Sequence, residues 1–193
     1  MAKGAVEELK LQKMDLFDSK KILEIAQLET AEILGNSMLI GYYVGVGNKR
    51  NIQIEKIFKQ QGDQCGYLFQ ALNDLEAFEN PKQLKKHKGA VNLDLFGGRK
   101  NLAVSTLYQV ANKKDRTKLL QANEAELISL IQKYHIIDSL KEELKSVYNN
   151  ILSTGINLQS AGLSKEWCEG LRWFLSQVKE YAEMRLIRSV DTE

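Results

Sequence analysis

The chain has 193 residues, 44% of them hydrophobic, and a formal net charge of only +2. That length and apolar content are enough for a buried core, and the near-balance of charge gives no case for a nucleic-acid-binding or membrane-surface protein, where clustered basic charge would be expected. No apolar run reaches the roughly 18 residues needed to span a bilayer, and the opening Met1-Ala-Lys-Gly begins no secretory apolar region. A cytoplasmic protein with no transmembrane segment is expected.

Leu, Ile, Lys, Glu and Gln dominate, and proline occurs once, at Pro81. This composition favours helices over strands, so a single all-α unit spanning residues 1–193 is expected. Cys65 and Cys168 each sit in a helical pattern and read as small buried apolar residues. His87 and His135 share no zinc-like spacing with them.

In chain order, the first helical stretch runs from Val6 to Phe17, with Gln12 and Asp15 three residues apart. Asp18-Ser19 offers a cap for the next helix. From Lys20 to about Val46, apolar residues recur at Ile22, Ile25, Leu28, Ile33, Met38 and Tyr42. The C-terminal end of this helix is nearly apolar on all sides, which predicts a central position. Gly45, Gly47 and Asn48 end it.

A third helix is predicted from about Ile52 to Phe78. Gly62 and Gly66 interrupt it at a cost of about 1 kcal/mol each relative to Ala, and so point to close approach of another backbone or a ligand. Glu79-Asn80-Pro81 stops the helix. Residues 79–98, with Lys82, Lys85, Lys86, His87 and Lys88, form one long irregular segment, of a length that in compact domains is functional or disordered. Helical patterns resume over Lys100–Ala111, Glu124–Tyr134 and Ile136–Leu152. The last helix runs from Leu163 to about Ser189, with Trp167, Leu171, Phe174, Val178 and Tyr181 on one stripe.

Two short motifs carry chemistry. In Phe69-Gln70-Ala71-Leu72-Asn73-Asp74-Leu75-Glu76-Ala77, the residues Gln70, Asn73, Asp74 and Ala77 fall three or four apart and share one sector of the helix. Burying such groups beside Phe69 and Leu72 costs a few kcal/mol unless a ligand, water or metal satisfies them. The bland alternative is a helix end where the core stripe gives way to solvent and Asp74 and Glu76 are hydrated. The second motif is Asp94-Leu95-Phe96-Gly97-Gly98-Arg99-Lys100-Asn101-Leu102. Asp94, Arg99 and Lys100 fit a loop that closes on a diphosphate, because arginine offers a planar fork of donors to phosphate oxygens. Read alone, Gly97-Gly98-Arg99-Lys100 is equally a flexible turn before a helix.

From Ala2 to about Ile187 these motifs resemble the C-terminal portion of a trans-isoprenyl diphosphate synthase, the polyprenyl synthetase family. Leu11-Gln12-Lys13-Met14-Asp15-Leu16 resembles the family's Gly-Gln-x-x-Asp-Leu helix, with Leu11 in place of the glycine. Ile25-Ala26-Gln27-Leu28-Glu29-Thr30 resembles the helix whose Lys-Thr pair faces the substrates. Thr30 is kept, and Glu29 replaces the diphosphate-binding lysine. Phe69-Gln70 matches the Phe-Gln ahead of the second Asp-Asp-x-x-Asp, which here reads Asn73-Asp74-Leu75-Glu76-Ala77. Asp94 and Arg99-Lys100-Asn101 resemble the following Asp…Gly-Lys-Lys-Thr. The relaxed second motif is most similar to the ComQ-like branch, which prenylates a tryptophan of a peptide pheromone.

The resemblance implies an all-α helical bundle of the isoprenoid synthase type, of which this chain is the C-terminal part. It implies a cavity for an allylic isoprenoid diphosphate and Mg²⁺ as the cofactor, since Mg²⁺ takes oxygen ligands from one or two carboxylates plus the phosphates. Asn73, Asp74 and Glu76 would be the metal side. Asp74, Gln70 and Thr30 would be catalytic, and Arg99, Lys100, Gln12 and Asp15 would bind diphosphate or line the cavity. The aspartates, at 15, 18, 63, 74, 94, 115, 138 and 191, include no adjacent pair. The first aspartate-rich motif is therefore expected on a second chain, or in a homo-oligomer of the complete enzyme. Two other readings stand beside this one: a noncatalytic partner of a prenyl synthase, and a helical interaction module without an isoprenoid link.

Overall fold

The computed structural model describes residues 2–12, 19–47, 50–79, 101–159 and 163–186. The fold is all-α, with no strand among the described residues. The helices are α1 (Ala2–Gln12), α2 (Ser19–Ala26), a π-helical turn (Gln27–Ala31), α3 (Glu32–Val46), α4 (Ile52–Glu79), α5 (Leu102–Val110), α6 (Lys113–Leu119), α7 (Glu124–Lys133), α8 (Ile136–Gln159) and α9 (Lys165–Leu186). They form two compact units, Met1–Glu29 with Gln70–Glu142, and Thr30–Phe69 with Glu143–Glu193. Helices α4 and α8 each contribute one end to either unit.

In the first unit α1 packs on α2, α2 on α5, and both α5 and α6 on α7. Ile22, Ile25, Leu72, Leu75, Leu107, Leu130 and Ile131 are among its buried side chains, and their three- and four-residue spacing gives each helix one apolar face. Asparagines start the short helices. Asn101 accepts from the Val104 amide, Asn112 from that of Asp115, and Asn123 forms a capping box with Glu126. Each cap satisfies an amide that a helix start leaves without an intrahelical partner.

Helix α6 has no apolar repeat in Lys113-Lys-Asp-Arg-Thr-Lys-Leu119, and its sequence pattern does not announce it. The buried Asp115 holds it. One carboxylate oxygen accepts from Lys133 Nζ at 2.6 Å and from the Tyr134 hydroxyl at 2.7 Å, both at the end of α7. The Lys133 and Tyr134 donors hold its carboxyl below the usual range, against burial.

In the second unit the glycines of α4 meet backbone. A Cβ on Gly62 would strike the Gly35 backbone of α3, and one on Gly66 would strike the Cα of Ala31. The close approach predicted from these two glycines is thus to a neighbouring helix. Trp167 of α9 lies against Gly41 and Gly45, with its ring 5.6 Å from that of Phe58. Gln61, fully buried, donates to the Ile151 carbonyl of α8 at 2.8 Å. Burial pushes the Cys65 thiol up to about 12, so it behaves as a small apolar side chain.

The predicted central position of the end of α3 needs correction. Tyr42 points inward at 1% exposure, but Ile40 and Val44 are 61% and 81% exposed. An all-round apolar helix shows that burial is possible on every side, and within this unit only one side is covered. Among the described residues, no helix is long and apolar enough to cross a membrane.

Candidate functional site

The last two turns of α4 place Leu72 and Leu75 in the core and leave Asn73 exposed. Gln70, Asp74 and Glu76 lie between these extremes, half-buried. The spacing of three and four that sets the leucine stripe inward therefore sets the polar residues at its border.

Asp74 is the pivot of this border. Its Oδ1 accepts from Gln70 Nε2 at 3.1 Å, one turn earlier on the same helix. Its Oδ2 accepts from the backbone N–H of Leu102 at 3.0 Å. Leu102 is the first residue of α5, so Asp74 caps that helix from across the fold. Asn101 caps the same helix locally, with its side chain accepting from Val104 at 2.9 Å. A carboxylate at this end of a helix is also favoured by the helix dipole.

The carboxylate that would be costly if buried alone is thus met by two donors from the protein itself. The contact also joins the two motifs. Asp74 belongs to the first, Leu102 closes the second, and 28 residues of chain separate them.

Thr30 belongs to the other unit. It is half-buried within the π-helical turn Gln27–Ala31, beside the fully packed Ala31. A π turn interrupts regular helical bonding and is frequent at functional sites. No periodicity in Gln27-Leu-Glu-Thr-Ala31 marks it, because the apolar spacing on either side tolerates one inserted residue. Glu29, in the same turn, is half-buried and lies where a Cβ on Gly4 of α1 would press against it. Gln12 is the last residue of α1. Asp15, Asp94, Arg99, Lys100 and the segment 80–98 lie outside the described residues.

Among the described residues, no three of His, Cys, Asp and Glu come together as a group able to hold a metal ion. The residue types that α4 does offer, the Asp74 and Glu76 carboxylates and the Asn73 amide oxygen, are oxygen donors of the kind Mg²⁺ takes, but Asp74 and Glu76, two residues apart, do not share one helix face. Sequence reasoning missed Ser105, whose hydroxyl is buried in α5 without a hydrogen-bond partner among the described residues. Its residue type and position inside an apolar run, Leu102-Ala-Val-Ser-Thr-Leu107, were the available signal.

No family model, no curated protein and no solved structure matches this chain.

Proposed function

We propose that this chain is a component of a trans-prenyltransferase. It binds an allylic isoprenoid diphosphate together with Mg²⁺ and takes part in transfer of the prenyl group to an acceptor, either isopentenyl diphosphate or a peptide. The observation that carries this reading is the Asp74–Leu102 hydrogen bond. It ties the end of the acidic motif to Leu102, the last residue of the second motif, so the two motifs meet at one junction.

Within that junction the residues divide the work by chemistry. Asn73, Asp74 and Glu76 present oxygens to the metal side, and Gln70 fixes the Asp74 carboxylate by its amide. Arg99 and Lys100 supply donors and positive charge for phosphate oxygens. Mg²⁺, when bound, supplies Lewis acidity to the diphosphate leaving group. In the transfer the allylic C–O bond breaks with its electron pair leaving on diphosphate. A π pair of the acceptor then forms the new C–C bond, and the acceptor loses a proton.

The 193 residues hold no adjacent Asp-Asp pair, so the facing aspartate-rich motif would lie outside them, on a second chain in the split arrangement. Purification from the native host followed by intact-mass analysis tests this. A co-purifying chain that bears Asp-Asp-x-x-Asp is expected, and a monodisperse protein with no companion refutes the split arrangement. In the reconstituted complex, Arg99→Ala is expected to slow turnover of an allylic diphosphate with Mg²⁺ by about 10²-fold, as expected for loss of a preorganised charge contact.

One observation favours a second reading, a noncatalytic partner subunit. Both Asp74 oxygens already serve the fold, and Glu29 stands where the resemblance places a diphosphate-binding lysine. Full turnover in the complex with Arg99→Ala and Asp74→Asn together would select it.

A further inference from the structure

Helix α3 buries one side and offers the other. Tyr42 points inward at 1% exposure, whereas Ile33, Ile40 and Val44 are 40%, 61% and 81% exposed, and Ser37 is exposed with them. At about 100° per residue, positions 33, 37, 40 and 44 fall within about 60° of one another, on the side away from Tyr42. From Ile33 to Asn48 the sequence holds no charged residue. Apolar residues scattered singly over a surface need no explanation, but a stripe aligned along a helix marks an interaction site.

Two properties of the stripe select its occupant. The first is spacing. Steps of four, three and four residues are those of a coiled-coil seam, and the series is the same read from either end. A two-fold axis passing between Met38 and Leu39 therefore sets Ile33 against Val44 of the partner subunit, and Ser37, a small side chain, against the partner's Ile40. A patch that matches itself under a two-fold is what an isologous dimer requires. The second property is charge. Glu32 precedes the stripe and Arg50 follows it, and the Arg50 side chain stays 56% exposed while paired with Glu55. Antiparallel copies set the acidic end of each against the basic end of the other, whereas parallel copies set like ends together. The seam itself carries no charge, so closing it strips no ion of water.

We propose that α3 is the contact through which two copies of this chain associate, antiparallel, along the stripe from Ile33 to Val44. Three apolar side chains per copy cover less than the roughly 800 Å² per partner of a standard interface. The dimer is therefore reversible, with a dissociation constant on the order of 10 µM. The contact needs only the fold and is independent of the prenyltransferase reading above.

Sedimentation equilibrium on the full chain tests the association. The weight-average mass is expected to rise from the 22.0 kDa of one chain toward twice that value as concentration increases from about 1 to about 200 µM. Ile40→Glu is expected to hold the mass at one chain throughout, and Val44→Ser to weaken association about tenfold. Both should keep the urea midpoint of the unsubstituted chain, because both sites are exposed. Cross-linking tests the direction. In a Cys168→Ser background, with Cys65 buried, chains carrying Ile33→Cys are mixed with chains carrying Val44→Cys and oxidised. A disulfide dimer is expected only in the mixture. Antiparallel copies hold the two 33 positions, and the two 44 positions, about 16 Å apart along the axis, beyond the roughly 7 Å between Cα atoms that a disulfide spans. A mass that stays at one chain over the whole range overturns the proposal, as does a dimer that Ile40→Glu leaves intact. Disulfides in either variant alone overturn the antiparallel pairing. A companion chain whose binding Ile40→Glu abolishes, with the unsubstituted chain monomeric by itself, would give the stripe to that companion instead.

Discussion

Helix α4 is built in two ways along its length, and the contrast separates structure from candidate function. Its middle, around Gly62 and Gly66, meets backbone directly, and the glycines are there because no side chain fits. Its end, from Gln70 to Glu76, lies within the first unit and meets α5 through the Asp74 carboxylate and the Leu102 N–H. The middle uses the absence of atoms, whereas the end uses polar atoms at the border of the core. Only the second kind of contact leaves chemistry within reach of a ligand.

The largest effect is expected where the helix is tightest. Gly66→Val should destabilise the protein by about 3 kcal/mol through overpacking against Ala31, read as a lower urea midpoint. Gly170→Ala on α9, where an added Cβ meets nothing within 4 Å, should instead stabilise by about 0.5–1 kcal/mol. If both substitutions behave alike, the seam is not the close backbone contact described.

At the polar end the expected effects are smaller and depend on which atom is removed. Asp74→Ala deletes one of the two caps of α5, leaving that of Asn101, and should cost about 1–2 kcal/mol, with faster hydrogen exchange at the Leu102 amide. Asp74→Asn keeps an acceptor for that amide, and Gln70 can turn its own amide to match, so the loss should be a few tenths of a kcal/mol. Equal losses in the two variants would mean that the charge, not the cap, holds α5.

The smallest effect concerns the start of α4. The Arg50 guanidinium, at 2.7 Å from Glu55, holds that carboxyl below its usual range, with the Tyr43 hydroxyl adding to it. A depressed carboxyl contributes stability that is complete above its unfolded pKa, near 4.5, and is lost as pH falls through the lower folded value. Glu55→Gln should therefore lower the neutral-pH midpoint slightly and reduce the acid-side loss of stability by the same small amount. A steeper acid limb in that variant would reverse the sign argued here. Arg50 is more than half exposed, so solvent screening keeps the effect small.

Much of this was legible in the residues. Apolar spacing placed α4 at Ile52–Phe78 against an observed Ile52–Glu79, and the stripe on α9 includes the buried Leu171 and Val178. Helix α6 was not legible, because Asp115, Lys133 and Tyr134 hold it and no local periodicity reports a bond across 18 residues. The π-helical turn at Thr30 was hidden because the apolar spacing on either side of it tolerates one inserted residue. At the site, the residue types of Asn73, Asp74 and Glu76 were readable, as was the spacing that puts Gln70, Asn73 and Asp74 in one sector of the helix. That Asp74 caps α5 was not, since a carboxylate on a helix face looks the same whether it meets water, metal or an amide.

The central claim is that the two motifs joined by Asp74 and Leu102 serve one diphosphate site. Titration of the chain, in the presence of any companion that co-purifies with it, with an allylic isoprenoid diphosphate tests this most directly. The amide signals of Asn73, Asp74, Glu76 and Leu102 would be followed with and without Mg²⁺. Coupled shifts at both motifs that require Mg²⁺ and vanish in Asp74→Asn are predicted. Silence at both motifs, or shifts indifferent to Mg²⁺ and to Asp74→Asn, would contradict the account.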